Sequence, residues 1–149
     1  GRTRAESVRN GLEDLPPELS CVLVHDAARP LVSPDVTERV IQQVRRGTGA
    51  VPALPVVDTL KEAADDGRIL GTVDRRTLWR AQTPQGFPRE MLETAFRTLG
   101  HAALDATDDA TLCERLDLPV ILVPGSERAL KVTTDEDFAR AEALAALPG

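Results

Sequence analysis

The sequence predicts an α/β fold in which helices cover both faces of a mostly parallel sheet. Strand-like and helix-like segments alternate along the 149 residues, which is typical of this class. Several of the strand-like segments are continuous apolar runs, as expected for strands buried on both faces. The helix-like segments repeat apolar residues every three or four positions and begin at capping residues. A single hairpin-like insertion interrupts the alternation, and no linker divides the chain.

The first third of the chain predicts a helix, a strand and a second helix. Residues 3–13 form a short amphipathic helix that Pro16-Pro17 ends. The run 21–24 is continuously apolar, which indicates a strand buried on both faces of a parallel sheet. Ser33-Pro34 then caps and opens a helix, because proline suits the first helical position. Gly47 ends that helix.

The middle of the chain predicts a strand and then a hairpin. The apolar run 50–57 contains prolines, which suit an edge or a bulge better than a central position in a sheet. Two short segments, 59–61 and 69–70, flank Asp66-Gly67, which is typical of a hairpin turn. Residues 83–86 have proline second and glycine fourth, so they predict a type I turn.

The last third predicts three helices and two strands. One helix begins at Pro88 with an apolar face, and a second is capped by residues 107–109. Residues 120–123 form an apolar strand, and residues 130–132 form a shorter one. The final helix begins at residues 134–137, where a threonine and three acidic residues match a capping box.

Composition excludes several classes of function. The net charge of −6 and the pI near 4.9 argue against a nucleic-acid-binding protein, which needs a basic face. No apolar run is long enough to span a membrane, and we expect no signal peptide, because no charged segment followed by an apolar one opens these residues. Cys21 and Cys113 match no metal or disulfide spacing, so we expect free thiols in a reducing cytoplasm. Gly1-Arg2 is not a natural start of translation, and we expect a segment upstream.

The loop after the most apolar strand is the strongest candidate site. In open α/β sheets, ligands bind beyond the carboxyl ends of the strands, and this rule selects residues 25–30. Asp26 offers a carboxylate for a hydroxyl or a metal, and Arg29 offers a fork that matches phosphate oxygens. A structural interpretation stays open, in which Asp26 caps a turn and Arg29 pairs with it.

Two further candidates are weaker when taken alone. Lysine is scarce, since only Lys61 and Lys131 occur among 18 basic residues, and Lys131 lies in a segment predicted to be a strand. A solvated surface role is the usual one for a lysine. The hydroxyl and two acids at 107–109 are explained by helix capping. His25 and His101 give no metal-ligand spacing, and the 149 residues contain no glycine-rich phosphate loop.

Seven short motifs follow one another along nearly the whole chain. They are Arg4-Ala5-Glu6-Ser7-Val8-Arg9-Asn10-Gly11-Leu12, Val24-His25-Asp26-Ala27-Ala28-Arg29-Pro30, Asp58-Thr59-Leu60-Lys61, Thr72-Val73-Asp74-Arg75, Ala81-Gln82-Thr83-Pro84-Gln85-Gly86-Phe87, Thr107-Asp108-Asp109-Ala110 and Leu130-Lys131-Val132-Thr133. In this order they resemble the motifs of the 2-C-methyl-D-erythritol 4-phosphate cytidylyltransferase family. Any one of them would be weak, but their common order makes the resemblance specific.

The resemblance implies a reaction, a fold and an assembly. The reaction transfers the cytidylyl group of CTP to methylerythritol phosphate and releases pyrophosphate, in the non-mevalonate isoprenoid pathway. The implied fold is a Rossmann-like nucleotidyltransferase domain, with Mg²⁺ as cofactor and a cytoplasmic location. The implied assembly is a homodimer in which a hairpin arm, here about residues 56–82, reaches over the partner's active site.

The resemblance also implies roles for individual residues, carried over by position. Those at the reacting phosphate, expected to be catalytic, are Asp26, Arg29 and Lys131. Those implied to bind the polyol phosphate are Thr59, Arg75, Thr83 and Thr107, of which the first three are expected to serve the neighbouring subunit. Those implied on the nucleotide side are Gly1, Ser7, Asp26 and Ala27. No residue is carried over as a metal ligand.

One departure and three alternatives accompany the resemblance. The family's glycine-rich nucleotide loop, with its arginine and lysine, has no counterpart here. We therefore expect residues 1–149 to be an incomplete nucleotidyltransferase domain that is inactive alone. A cytidylyltransferase for another polyol phosphate, such as ribitol 5-phosphate, is an alternative, and so is a non-catalytic dimerising fragment. A fusion is also left open, since Pro148-Gly149 could lead into another domain.

Overall fold

A computed structural model describes residues 1–147 of the chain, so the expectation for Pro148-Gly149 lies outside the described residues. Helices and strands alternate from residue 4 to residue 55, but five strands follow one another between residues 49 and 88 with no α-helix between them, and two consecutive α-helices come next. None of the described helices has the length and hydropathy that a bilayer crossing requires. The helices are α1 (Arg4–Glu13), α2 (Pro34–Val44), α3 (Arg89–Leu99), α4 (Asp109–Glu114) and α5 (Asp135–Ala145), and the strands are β1 (Cys21–Val24), β2 (Gly49–Pro55), β3 (Leu60–Ala63), β4 (Ile69–Val73), β5 (Trp79–Ala81), β6 (Gln85–Pro88) and β7 (Val120–Pro124).

The main sheet contains five strands arranged around β2. One side of β2 runs parallel to β7, with Ala50 opposite Ile121. The other side pairs antiparallel with β6 at Ala50 and Gly86, and with β5 from Ala53 onward. Strand β1 pairs antiparallel with β6 along its whole length.

The α/β class is confirmed, but the sheet is mixed rather than mostly parallel. Among the described residues only β2 and β7 are parallel. The reason lies in the connection after β2, which returns through a hairpin and β5 and β6 instead of a crossover helix. A strand that returns without a crossover runs antiparallel to its neighbour. For the same reason β1 is not the doubly buried parallel strand expected, and only Val22 of its four residues is fully buried.

Helices lie on both faces of the sheet, as predicted. Alternate residues of each strand enter two apolar clusters. On one face, α1, α3 and α4 cover a cluster that includes Val22, Val51 and Phe87. On the other face, α2 packs on Ala50 with its buried residues Val40 and Val44. The core is thus mostly aliphatic, with Phe87 and Phe96 as its buried aromatic members.

Strand β2 is central, which corrects the expectation that its prolines place it at an edge or a bulge. The ladder on the side of β5 and β6 is interrupted between Ala50 and Ala53. The Pro52 carbonyl accepts a hydrogen bond from the Gln82 N–H (2.8 Å) in this interruption. Proline is therefore tolerated, because no regular ladder bond is required of it at this point.

The predicted hairpin is confirmed as a separate two-stranded sheet of β3 and β4, with Leu60 opposite Val73. Its turn contains Gly67 at a positive φ of 83°, a conformation that favours glycine. Most of its side chains are exposed, including the apolar Ile69 and Leu70. It extends from the main sheet between β2 and β5.

Two local predictions are wrong. Residues 83–86 do not form a type I turn, since the Thr83-Pro84 peptide bond is cis and Gln85-Gly86 already belongs to β6. Residues 130–132 are not a strand. They follow a 3₁₀ turn and are held by one bond, from the Val132 N–H to the Ala28 carbonyl (2.8 Å). A short Leu-Lys-Val segment alone cannot provide the neighbouring strand that a ladder needs.

Candidate active site

The loop after β1 is a tight turn that presents Asp26. The Arg29 N–H donates to the Asp26 carbonyl (3.0 Å), which leaves Ala27 and Ala28 at the corner of the turn. The Asp26 N–H donates to the Thr83 hydroxyl (3.0 Å), so the loop is also fixed to the segment between β5 and β6. These bonds direct the Asp26 carboxylate beyond the end of β1, as the strand-end rule predicts.

A cleft of about 160 Å³ opens at this point. Its walls come from the start of α1, the loop after β1, the junction of β5 and β6, the start of α4 and the segment after β7. It therefore collects residues from distant parts of the sequence. Its lining consists of Arg4, Asp26, Arg29, Ala81, Gln82, Thr83, Gln85, Thr107, Asp108 and Lys131.

The Asp26 carboxylate lies among three cations. The Lys131 ammonium is 3.2 Å from Oδ2, the Arg29 Nε is 3.8 Å from Oδ2 and the Arg4 Nε is 3.6 Å from Oδ1. Burial by itself would raise the pKa of Asp26, but these cations hold that pKa below its ordinary value. Asp26 is thus ionised at neutral pH and orders the positive groups around it.

Arg29 is the more deeply buried of the two predicted cations. Only 12% of its side chain is exposed, and burial lowers its pKa, opposed by the charge of Asp26. Its Nη1 donates to the Ala129 carbonyl (2.7 Å), whereas its buried Nε has no hydrogen-bond partner among the described residues. Arg29 therefore ties the loop after β1 to the segment that carries Lys131.

Lys131 is positioned by hydrogen bonds to its segment rather than by a strand. The buried Gln82 side chain donates to the Ser126 carbonyl (2.8 Å) and accepts from the Ser126 N–H (3.0 Å). The bonds of Ala28 and Arg29 described above hold the other end of the segment. Lys131 itself is half exposed, with 49% of its side chain accessible. Its ammonium is therefore available to an anionic ligand.

Thr83 links the cleft to His25. Its hydroxyl accepts from the Asp26 N–H and lies 3.0 Å from His25 Nδ1, while His25 Nε2 lies 3.2 Å from the Arg29 carbonyl. A carbonyl can only accept, so Nε2 donates, and in the neutral imidazole Nδ1 accepts from the Thr83 hydroxyl. This network fixes the turn from both sides.

The start of α4 forms the back wall of the cleft. Asp108 caps the helix, accepts from the Thr111 N–H (2.9 Å) and accepts from the buried Gln85 amide (2.8 Å). Burial by itself would raise the pKa of Asp108, but these bonds lower it. Asp109 is almost completely buried and pairs with Arg4 (Nη2 to Oδ2, 2.8 Å). Burial raises its pKa despite Arg4.

The structure brings together five of the predicted residues and leaves others apart. Ala27 lies exposed at the corner of the turn. Gly1 and Ser7 are adjacent at the start of α1, since a Cβ on Gly1 would lie 2.5 Å from the Ser7 nitrogen. Thr59 and Arg75 lie on the exposed hairpin segment and do not line the cleft. The five that line the cleft are Asp26, Arg29, Thr83, Thr107 and Lys131.

Sequence reasoning missed three polar residues of the cleft. Arg4 was part of a motif but had no assigned role, and its signal is a cation at the first position of a helix. Gln82 and Gln85 gave no signal of a site in the sequence, because their burial depends on how the chain passes from β5 into β6. Burial of an amide becomes visible only in the folded chain.

The cleft provides few ligands for a metal. Within residues 1–147 no group of three or more His, Cys, Asp or Glu side chains could hold an ion. Asp26 is one partly exposed carboxylate at the mouth of the site. One carboxylate suits Mg²⁺, which is commonly bound by one or two carboxylates together with substrate phosphates and water.

Comparison with known proteins agrees with this arrangement. The family model of 2-C-methyl-D-erythritol 4-phosphate cytidylyltransferase matches residues 1–146. A protein of that name from Syntrophus aciditrophicus is 43% identical over 97% of this chain, and one from Streptomyces coelicolor is 50% identical over 98%. The chain spans 62% and 56% of the lengths of these two relatives.

A solved structure extends the likeness to the fold. The crystal structure of 2-C-methyl-D-erythritol 4-phosphate cytidylyltransferase from Thermus thermophilus superposes with a TM-score of 0.88 at 42% identity. The match covers 99% of this chain and 71% of that one. The mixed sheet with its hairpin is thus an arrangement found in an experimental structure.

Proposed function

The chain belongs to the 2-C-methyl-D-erythritol 4-phosphate cytidylyltransferase family, and on that premise we propose that the natural protein transfers the cytidylyl group of CTP to methylerythritol phosphate. The proposal includes its place in non-mevalonate isoprenoid biosynthesis. The observation that carries it is the cleft in which Asp26 orders Lys131, Arg29 and Arg4 at the ends of β1 and β7. A cationic cleft in an acidic protein suits polyanionic substrates.

The reaction needs positioning and charge stabilisation rather than covalent catalysis. A phosphate oxygen of methylerythritol phosphate attacks the α-phosphorus of CTP and forms a new P–O bond. The bond from that phosphorus to the bridging oxygen breaks, and pyrophosphate leaves with the electron pair. Negative charge builds up on the leaving oxygens, and fixed cations stabilise it best where water is excluded.

The cleft residues have different roles in this reaction. Lys131 is half exposed and close to the reacting phosphates in the proposal, so its ammonium contacts them directly. Arg29 is buried and fixed by Ala129, so it acts as an immobile charge behind them. Asp26 keeps both cations oriented and offers Oδ1 or Oδ2 to a ribose hydroxyl or to Mg²⁺. Ser7 and Gly1 are assigned to the cytosine side and Ala27 to the ribose.

We include Mg²⁺ in the proposal as a cofactor. Asp26 would hold it together with phosphate oxygens of the substrates, since the other carboxylate of the cleft, Asp108, is bonded to Gln85 and Thr111. When bound, the ion would neutralise part of the triphosphate charge. A cytoplasmic location is also proposed, since both cysteines are free thiols, as in proteins of reducing compartments.

The hairpin segment is proposed to act on a second copy of the chain. Thr59 and Arg75 are exposed and do not line the cleft, and the apolar Ile69 and Leu70 of the hairpin are 65% and 61% exposed. Clustered exposed apolar side chains indicate a surface that is covered by another protein. An arm of residues 56–82 exchanged within a homodimer would cover them and would deliver Thr59 and Arg75. Thr83 departs from this proposal, since it lines the cleft of its own chain.

Release of pyrophosphate tests the function. The natural protein, supplied with CTP, Mg²⁺ and methylerythritol phosphate, should release pyrophosphate, whereas ribitol 5-phosphate should compete poorly. The 149 residues alone should release none, because they contain no glycine-rich phosphate loop. Equal turnover of ribitol 5-phosphate would favour the other polyol phosphate. A folded dimer of the natural protein that binds no CTP would contradict the proposal and favour a non-catalytic role.

A further inference from the structure

Arg4 occupies a position that its own helix does not explain. It is the first residue of α1, after the capping residue Thr3. The amino end of a helix carries a partial positive charge, so a cation in the first turn is unfavourable there. The side chain must therefore be retained for contacts outside α1, and only about a third of it is exposed.

The guanidinium joins two carboxylates that lie at different depths. Its Nη2 donates to Oδ2 of Asp109 at 2.8 Å, and its Nε lies 3.6 Å from Oδ1 of Asp26. The side chain of Asp109 is 1% exposed and belongs to the first turn of α4. Asp109 is therefore a fixed anchor, whereas Asp26 faces the cleft. A planar guanidinium with several N–H groups can serve both carboxylates at once, which an ammonium cannot do in the same way.

The three cations approach Asp26 from opposite sides. Arg4 comes nearest to Oδ1, whereas Lys131 and Arg29 come nearest to Oδ2. A carboxylate that is attracted at both oxygens has its rotation about the Cβ–Cγ bond restricted. If the attraction at Oδ1 is removed, the carboxylate can turn toward Lys131 and Arg29 and compete with substrate phosphates for them.

We propose that Arg4 is a positioning residue, anchored on buried Asp109, which holds the Asp26 carboxylate in place so that Lys131 and Arg29 stay available to substrate phosphates. The inference rests on the proposed function, since it assigns Arg4 a part in the same site. Arg4 acts through Asp26 and not on the substrates. It couples the start of α1 and the start of α4 to the loop after β1.

The test compares Arg4→Lys in the natural protein with and without Asp26→Asn. Lysine keeps a positive charge beside Asp109 but loses the Nε that faces Asp26. We expect kcat/KM to fall about 10- to 100-fold in Arg4→Lys, because small displacements of a positioned group cost this much. In the Asp26→Asn background the same change should alter kcat/KM by less than about twofold, since the two residues act as one unit.

Two further variants separate positioning from folding. Arg9→Lys, on the same helix, is the matched control, because Arg9 approaches only Glu13 among the described acidic residues and should leave kcat/KM unchanged. Arg4→Gln with Asp109→Asn removes both members of the buried pair together, so no unpaired charge is left to unfold the protein. This double variant should keep the melting temperature near that of wild type and still lose kcat/KM.

A measurement that needs no catalytic turnover separates the positioning role of Arg4 from the proposed function. The ¹³C chemical shift of the Asp26 carboxyl carbon, identified by its loss in Asp26→Asn, should move in Arg4→Lys and stay in Arg9→Lys. If wild type releases no pyrophosphate but this shift moves, the proposed function fails and the Arg4 contact stands. If wild type is active and the fold-losses in kcat/KM of Arg4→Lys and Asp26→Asn simply multiply in the double variant, the positioning role is wrong.

Discussion

The cleft and the hairpin differ in how completely their polar groups are satisfied within the chain. Around the cleft, Thr83, Gln82 and Asp109 are buried and bonded to residues far away in sequence. In the hairpin, Asp66 and Asp74 pair only with arginines two residues away among the described partners, and both are exposed. The cleft is therefore preorganised by the fold. The hairpin has a defined backbone, but its side chains are not packed against the rest of the chain.

This difference indicates what the function of each region depends on. A preorganised cleft holds its own side chains in place without a partner, because they have already lost their conformational freedom on folding. An exposed hairpin with apolar side chains gains order only when another surface covers it. Substitutions should accordingly act through chemistry and stability in the cleft, and through assembly in the hairpin.

Loss of the Lys131 ammonium should have the largest effect. In the natural protein, Lys131→Ala should lower kcat/KM about 100- to 1,000-fold, because it removes a cation from the developing negative charge. The melting temperature should change little, since the side chain is half exposed. Steady-state kinetics would check this, with Arg97→Ala as the control, because Arg97 lies exposed on α3 and bonds Thr94 alone among residues 1–147. A loss below about threefold would show that the cleft is not the reacting site.

The hairpin offers a matched pair of neighbouring arginines. Arg75→Ala should lower kcat/KM about 10- to 100-fold through misplacement of the polyol phosphate. Arg76→Ala should have little effect, because Arg76 is occupied by Asp74 at 2.6 Å. Unfolding curves of both variants should overlay that of wild type, as both side chains are exposed.

Mixing variants shows whether Arg75 serves its own chain or a partner. An inactive Asp26→Asn protein mixed with Arg75→Ala should recover about a quarter of wild-type activity once subunits exchange, since half of the dimers then contain one intact site. No recovery, together with a dimer by sedimentation, would mean that the arm acts on its own cleft.

Packing distinguishes the two regions as well. In Gly86→Ala the added Cβ would overlap Val40 Cγ1 and lie 2.9 Å from Val44 Cγ2, so the core must shift. We expect a loss of about 1–3 kcal/mol in the free energy of unfolding. Gly71→Ala in β4 meets no atom within 4 Å and should stay within about 0.5 kcal/mol of wild type. Urea denaturation of the chain would compare them, and equal losses would contradict the packing difference.

The smallest expected effect concerns pH. The pKa of Asp26 is lowered in the folded state, because Lys131, Arg4 and Arg29 outweigh burial, which alone would raise it. A lowered pKa contributes stability above the ordinary pKa of aspartate, and that contribution is lost as pH falls through the folded value. The difference in unfolding free energy between wild type and Asp26→Asn should therefore shrink from pH 7 to pH 3.

The hairpin provides the comparison for this pH effect. The pKa of Asp74 is also lowered, chiefly by its hydrogen bonds to Arg76, but water screens this exposed pair. Asp74→Asn should therefore show the same sign with a smaller change. A larger pH dependence at Asp74 than at Asp26 would contradict the preorganised cleft.

Local signals in the sequence predicted the helices, the turn at Asp66-Gly67 and the loop that carries Asp26. These features depend on capping residues, glycine and apolar periodicity within a few residues, so the local sequence is enough to predict them. The segment 130–132 shows the limit of such signals. Its Leu-Lys-Val sequence predicts a short strand, but a strand also requires a partner, and among the described residues its backbone bonds Ala28 alone.

The sequence by itself determined the α/β class, the hairpin and the family, because apolar periodicity and the order of motifs can be read without coordinates. Only the tertiary structure decided that the sheet is mixed, that Pro52 tolerates a central strand and that Arg4 joins Asp109 to Asp26. Each of these depends on contacts between residues that are far apart along the chain. Burial and strand direction arise from the whole fold, so no local stretch of sequence encodes them.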